Sequence, residues 1–146
     1  MCGIIGINSN KPVSATIINS LKKLEYRGYD SAGIATLSSG LINEVKSEGR
    51  VDNLEKNSLV NAMEGTIGIG HVRWATHAHP HSSQNVSVVH NGIIENSTLL
   101  KKFLVSKGHK FKSQTDTEVI VHLITENLKT DNIVNSIQKT LKALHG

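Results

Sequence analysis

The apolar residues of this chain change their period along its length, and that change limits the fold more than any other feature. In roughly the first ninety residues they fall in short β-rich runs. "CGIIGI" reads as a buried strand with Cys2 at its start, and "AGIATLSSGLINEV" as a hairpin around Ser38-Ser39-Gly40. In "GTIGIGHVRWATH", Ile67, Ile69 and His71 alternate with glycines as in a strand, and "NVSVVHNG" is another strand ending at Asn91-Gly92. Two helical stretches interrupt them, one over residues 13–25 with Ile17, Ile18, Leu21 and Leu24, the other a short helix over 52–63 starting at Asp52. From Ser97 onward the spacing is helical. Ser97 is the expected N-cap of a helix with Leu99, Leu100, Phe103 and Leu104 as its stripe and Gly108 as its stop. Asp116 or Thr117 opens the next, with Val119, Ile120, Leu123 and Ile124 inward, and a last helix uses Ile133, Ile137, Leu141 and Leu144. "HKFK" between them is an edge-strand candidate. Strands first and helices afterwards define an α+β chain of packed sheet and helix layers.

A length of 146 residues suits one domain with a real core, and 38% hydrophobic with 19% charged residues is a globular balance. A single cysteine excludes an internal disulfide and fits a reducing cytoplasm. No apolar run approaches the ~20 residues needed to span a bilayer, so no membrane is expected. The net charge of +4 raises nucleic acid as a partner. The lysines are dispersed, however, and the pairs Lys22-Lys23 and Lys101-Lys102 lie on amphipathic helices, the pattern of solvated faces, so no nucleic acid is expected.

Five stretches hold residues able to do chemistry. The first is the N-terminus, where loss of the initiator methionine would leave Cys2 with both a thiol and a free α-amine. An α-amine titrates at ~7.7–8.0 and can take a proton, while a deprotonated thiol is a strong nucleophile, so one residue could supply nucleophile and base. The alternative is a small buried hydrophobe. "YRGYDSAGIA" and "GHVRWATH" place Tyr26, Tyr29 and Trp74 in polar surroundings together with Arg27 and Arg73. An arginine fork suits a carboxylate, although Arg27 reads equally as a structural residue. In "HNGIIEN", Asn91-Gly92 is either a turn or a side-chain amide beside an open backbone N–H, the parts of an oxyanion hole. In "SQTDTEVI", Asp116 either caps a helix or binds an ammonium group.

In this order, "MCGIIGI", "LEYRGYDSAGIA", "GHVRWATH", "VVHNGIIEN" and "TDTEVI" resemble the N-terminal glutaminase domains of glutamine-fructose-6-phosphate aminotransferases (glucosamine-6-phosphate synthases), along essentially the whole chain. These are class II glutamine amidotransferases. The resemblance implies the N-terminal-nucleophile hydrolase sandwich (αββα) and hydrolysis of the L-glutamine side-chain amide to glutamate, with ammonia passed to a sugar-phosphate isomerase domain. It implies Cys2 as nucleophile, Asn91 and the Gly92 N–H as oxyanion hole, Arg73 on the glutamine α-carboxylate and Asp116 on its α-ammonium. Trp74, Thr76 and His77 would belong to a loop that closes over glutamine, Arg27 and Gly28 would brace the nucleophile's end, and no metal or organic cofactor is implied. Amidophosphoribosyltransferase is the nearest alternative within the class.

Two departures from the family pattern carry expectations of their own. "RWATHAHPHSS" lacks several residues, including a Gly-x-Pro segment, that the family places between "RWATH" and "AHPH", which alters the hinge of the loop. The fusion also sets His77, His79 and His81 at alternating positions, a spacing that zinc accepts but that two family histidines already explain. The chain also ends where the family continues into further strands and two sugar-isomerase domains. The domain therefore reads as truncated, with a sheet edge that invites a homodimer or leaves an inactive, binding-only remnant.

Overall fold

The computed structural model describes every residue except Met1, Ala78 and Gln84. The chain forms two compact units, Met1–Pro80 with Val89–Asn91, and His81–Val88 with Gly92–Gly146.

The first unit is a four-stranded antiparallel sheet in the order β1-β4-β2-β3, built from β1 (Gly3–Asn8), β2 (Ser31–Ser38), β3 (Leu41–Glu48) and β4 (Ile67–Arg73). The β2–β3 hairpin turns as expected at Ser39 and Gly40, whose φ of 51° and 78° suit the right-handed twist of the flanking strands. Helix α1 (Ser14–Leu24) lies on this sheet through Ile17, Ile18 and Leu21, the face expected from their spacing. It comes close because β4 presents glycine beneath it: a Cβ on Gly68 would lie 2.7 Å from Ile17 Cδ1, and one on Gly70 would lie 2.5 Å from Ile17 Cγ2. Val13, Ala32, Ile34, Val45 and Val72 complete the core with α2 (Val51–Glu55) and α3 (Ser58–Asn61). A fully buried aliphatic such as Ile17 contributes about 1.5–3 kcal/mol. The single helix expected over 52–63 is divided here, because the Asn57 side chain accepts the Leu59 N–H and starts a new turn.

The second unit is helical, with a two-stranded ribbon of β5 (His81–Ser83) and β6 (Val86–Val88). Helices α4 (Ser97–Ser106), α5 (Glu118–Asn127) and α6 (Ile133–Ala143) follow. As expected, α5 turns Val119, Ile120, Leu123 and Ile124 inward, against Ile94 and Leu104.

Several expectations fail in this unit. "NVSVVHNG" is a strand only over Val86–Val88, and β5 has no counterpart among the expected strands. "HKFK" is not a strand: the His109 side chain bonds into α5 and the Lys112 N–H donates to Glu118, so this backbone has no ladder to join. Asn96 rather than Ser97 takes the cap position of α4, where its side chain bonds Ala143 O and His145 N. Of the α4 stripe only Leu104 is fully buried, while Leu99 and Phe103 are exposed. Helix α6 is inverted relative to its apolar pattern, although Leu144, just past its end, packs against the core as expected. Ser136 and Thr140 are buried while Ile133, Ile137 and Leu141 face outward, because α6 meets α5 through a polar seam: Asn127 Nδ2 donates to Thr140 Oγ1 (3.2 Å) and to Ser136 O (3.4 Å). Among the described residues, no helix is long and apolar enough to cross a membrane.

Candidate active site

Cys2 is a free, half-buried thiol one residue before β1, whose first residue, Gly3, pairs with Val72. The antiparallel register therefore brings the start of β1 beside the end of β4, where Arg73 and Trp74 emerge. Met1, whose removal the nucleophile reading requires, lies outside the described residues.

The end of β4 is fastened from β2 and the turn before it. Arg73 pairs with Ser31, its carbonyl accepts the Asp30 N–H at 3.0 Å, and Ser31 Oγ donates to Ala75 O at 2.5 Å. Gly28 lies flat against this junction: a Cβ there would meet Arg73 C at 2.8 Å and Trp74 Cδ1 at 2.9 Å. Its φ of 171° is extended backbone, so glycine is required for space rather than for conformation. Tyr29 holds the Trp74 indole in a tilted ring pair with centroids 5.0 Å apart. Arg27 lies just before, its Nε donating to the Tyr26 hydroxyl and its guanidinium over the Tyr26 ring.

After β4 the chain folds back as a tight loop. Arg73 Nη1 donates to Thr76 O (3.3 Å) and His77 O (2.8 Å), and the Thr76 hydroxyl lies 3.3 Å from His77 Nδ1. His77 adopts a φ of 68°, left-handed backbone uncommon for a residue with a side chain. These bonds use one guanidinium nitrogen, and the fork that would grip a carboxylate needs two. Trp74, Thr76 and His77 are all exposed. Ala78, within the shortened stretch, lies outside the described residues.

The histidines whose spacing alone would suit zinc have separate environments. His79 is buried against the His71 ring edge, 4.4 Å between centroids, and His81 Nε2 bonds Thr115 Oγ1 at 2.8 Å in the second unit. Among the described residues, no group of three or more histidine, cysteine or acidic side chains is arranged to hold a metal.

Asn91 closes the first unit and Gly92 begins the second segment of the other, both exposed in an irregular stretch beyond β6. Asp116 precedes α5 and is half-buried. Its Oδ2 accepts the Ile94 N–H and its Oδ1 the Thr117 N–H, each at 2.8 Å. Reading the sequence missed what surrounds it. Glu118 is buried and accepts three donors, and His122, also buried, lies edge-on to the His109 ring and tilted against Phe111. Burial alone would raise the Glu118 carboxyl, but the donors from Lys112 and Ser113 and the nearby His81 outweigh it and hold it below the ordinary carboxylate value. His122 is pushed below the ordinary histidine value by burial and by His109, with Lys112 adding to this and Glu118 opposing it. An acidic residue in the first turn of α5 was the available signal, and it reads as ordinary helix-dipole chemistry until its burial is seen.

With one unit carrying a thiol, an arginine and an exposed aromatic at a strand end, and the other a carboxylate at a helix start, the comparisons define the class. Residues 71–146 match the family described as Glutamine amidotransferase domain, and the chain belongs to that family. It is 48% identical to the glutamine–fructose-6-phosphate aminotransferase (isomerizing) of Brucella abortus and 49% identical to that of Mesorhizobium japonicum. Both alignments run over 154 positions and cover the whole chain and 25% of the relative. The corresponding Rhizobium meliloti enzyme is 51% identical over 133 positions, 86% of this chain and 22% of the relative. The chain thus spans about a quarter of the length of the curated relatives it matches. Among solved structures, the glutamine phosphoribosylpyrophosphate amidotransferase of B. subtilis, complexed with ADP and GMP, superposes with a TM-score of 0.86 at 29% identity, covering 100% of this chain and 33% of that one. A structure described as the allosteric regulatory enzyme of purine biosynthesis has the same TM-score at 28% identity, covering 100% and 34%. The fold is accordingly that of the N-terminal-nucleophile amidotransferases, as the motif order implied.

Proposed function

We propose that residues 1–146 act as a glutaminase domain that hydrolyses the side-chain amide of L-glutamine through Cys2. The observation that carries this reading is the placement of the chain's one cysteine at the mouth of β1, beside the end of β4 that bears Arg73 and Trp74. The freed α-amine of Cys2 takes the thiol proton, and the thiolate attacks the glutamine amide carbon. The tetrahedral oxyanion is held by the Asn91 amide and the Gly92 N–H. Its collapse breaks the C–N bond as the protonated amine returns the proton to the departing nitrogen, releasing ammonia. Water then cleaves the thioester to glutamate and restores the thiol. Glutamine is a zwitterion, and Arg73 and Asp116 read its two charged ends, so that the neutral amide faces the nucleophile. Trp74, Thr76 and His77 cover the bound substrate, and Arg27 and Gly28 brace the strand end.

The ammonia goes to a sugar-phosphate isomerase domain, completing transfer from glutamine to fructose 6-phosphate. Identities of 46–51% to aminotransferases, against 29% to the glutamine phosphoribosylpyrophosphate amidotransferase structure, favour that acceptor over a phosphoribosyl one. The setting is cytoplasmic, where a reducing environment keeps Cys2 free. The test is treatment with a glutamine-shaped diazoketone followed by peptide mass spectrometry, which also reports whether Met1 is removed. One adduct on Cys2, competed by L-glutamine and absent in Cys2→Ser, is the expected result. Processed protein in which Cys2 takes no label overturns the reading.

A further inference from the structure

The residues just before α5 have no secondary structure to hold them, yet this is where Asp116 must keep one geometry to read an ammonium group. Lys101 Nζ donates to Ser113 O at 3.4 Å and the Asp116 carbonyl accepts the Val119 N–H at 3.2 Å, but the group that gathers the most bonds from this segment is one buried carboxylate. Glu118 Oε1 accepts the Lys112 N–H at 2.7 Å, and Oε2 accepts both the Ser113 N–H at 2.8 Å and the Ser113 hydroxyl at 2.6 Å. Ser113 passes the constraint forward: its Oγ lies 2.8 Å from Thr115 Oγ1 and accepts the Thr115 N–H at 3.2 Å. Thr115 Oγ1 is in turn 2.8 Å from His81 Nε2, which ties the segment to β5. Residues 112–115 are therefore tethered from one side and Glu118 is anchored in α5 on the other, with Asp116 between them.

Glu118 is 5% exposed, and burying a carboxylate is expensive unless its lone pairs are filled. Among the described residues no lysine or arginine forms an ion pair with it; His122 Nε2, at 3.5 Å, is the cationic-type group that faces its Oε1. Its burial is offset by backbone and hydroxyl donors that all belong to the segment leading to Asp116. A carboxylate has about four lone-pair sites, and the amides of Ile94 and Thr117 occupy two of those on Asp116, with the Thr117 hydroxyl a long 3.5 Å from Oδ1. The capacity that remains can meet an ammonium group only if the segment holds the carboxylate still.

We propose that Glu118 is a positioning residue for substrate recognition: it fixes residues 112–115 and thereby aims Asp116 at the glutamine α-ammonium. This rests on the assignment of Asp116 given above. Glu118 itself does not touch substrate. Its loss weakens glutamine capture and leaves the chemical step alone, and the loss is invisible once Asp116 can no longer read the ammonium.

The test is a double-mutant cycle on the whole chain, following alkylation of Cys2 by the glutamine-shaped diazoketone at graded concentrations. Asp116→Asn should raise the half-saturating concentration roughly 10- to 150-fold, the effect of losing a hydrogen bond to a charged group. Glu118→Gln should raise it roughly 5- to 30-fold with the maximal rate within about twofold of the parent. The double variant should match Asp116→Asn alone, because the two act through one contact. Ser113→Ala, which removes one of the three donors, should give a smaller rise that Asp116→Asn likewise absorbs, and it serves if Glu118→Gln does not fold. Effects that multiply in the double variant, or a fall in maximal rate without a change in saturation, would overturn the positioning role. No change in saturation for Asp116→Asn would instead overturn the assignment of Asp116, and an unlabelled parent chain the glutaminase reading itself.

Discussion

Replacing Gly28 by alanine tests how the candidate site is built from its backbone. The added Cβ would lie 2.8 Å from Arg73 C, 2.9 Å from Trp74 Cδ1 and 3.0 Å from Trp74 N, where ordinary contact begins at 3.4 Å. Two of the three atoms are backbone and cannot rotate away, so the Arg73–Trp74 junction must retreat by about 0.4–0.6 Å, the shortfall in those distances. It cannot retreat freely, because the Arg73 carbonyl is bonded to Asp30 N, Arg73 is paired with Ser31, and the indole is held by Tyr29. Overpacking of this kind costs about 1–3 kcal/mol. At roughly 2–4 °C per kcal/mol for a chain of this size, the melting temperature should fall by about 2–12 °C. The movement also displaces Arg73, so the half-saturating concentration of glutamine should rise. Gly40→Ala is the control: its φ is 78° and an added Cβ would meet no atom within 4 Å, so it carries only the left-handed penalty of about 1–2 kcal/mol and leaves saturation unchanged. Thermal melts by far-UV circular dichroism and glutamine saturation curves decide the matter. If Gly28→Ala melts like the parent and saturates like it, the steric account of this junction is wrong.

Other predictions concern chemistry, pH and packing. Asn91→Ala should lower kcat roughly 10²–10³-fold with little change in KM, as loss of one oxyanion donor does, and steady-state kinetics showing a normal kcat would remove it from that role. Because burial and His109 depress the His122 pKa, the unfolded imidazole binds a proton at pH values where the folded one does not. His122 therefore contributes stability that is present above its ordinary value of 6.5 and is lost as pH falls through the lowered folded value; melts at pH 7.5, 6.5 and 5.5 should show this, and His122→Gln should flatten it. On α6, Ile137→Lys should change stability by no more than about 0.5 kcal/mol while Thr140→Leu costs about 1–3 kcal/mol, and urea titrations giving the reverse order would restore the apolar face as the inner one.

The elements legible in the sequence were those whose period and packing agree. Ile17, Ile18 and Leu21 recur at helical spacing and are also the residues α1 buries; Ser39-Gly40 supplies the left-handed pair its hairpin needs. Legibility fails where a polar seam does the packing. In α6 the isoleucines form the obvious stripe, but Asn127 bonds the Ser136 carbonyl and the Thr140 hydroxyl on the inner side, and such polar contacts carry no periodic hydrophobic signal. The same reason hides the region before α5, where "HKFK" looks strand-like while the His109 N–H goes to Leu104 O and the Lys112 N–H to Glu118. Of the site, Cys2 at a strand mouth and Asp116 at a helix start were readable from position, because termini and junctions are marked by local sequence. Gly28 against Trp74 and Glu118 beneath its segment depend on contacts between residues that no local pattern links.

The close seating of α1 on β4 has a consequence for how this sequence can drift. Ile17 takes the nearest part of the space that side chains at 68 and 70 would need, with Val13 and the Ala35 carbonyl closing in on 68 and Leu21 and Ile5 on 70. Neither glycine can acquire even a methyl group while Ile17 keeps its full length. A smaller residue at 17 would relieve the worst clash at position 70 while position 68 stayed blocked by Val13 Cγ2 at 2.9 Å and the Ala35 carbonyl at 3.0 Å, and it opens a cavity that is costly by itself. Change at position 70 is therefore ordered in time, since a lineage must cross a destabilised intermediate before the compensating partner is tolerated, while position 68 is held by backbone as well, and the glycine-alternating strand persists as a historical as well as a physical constraint.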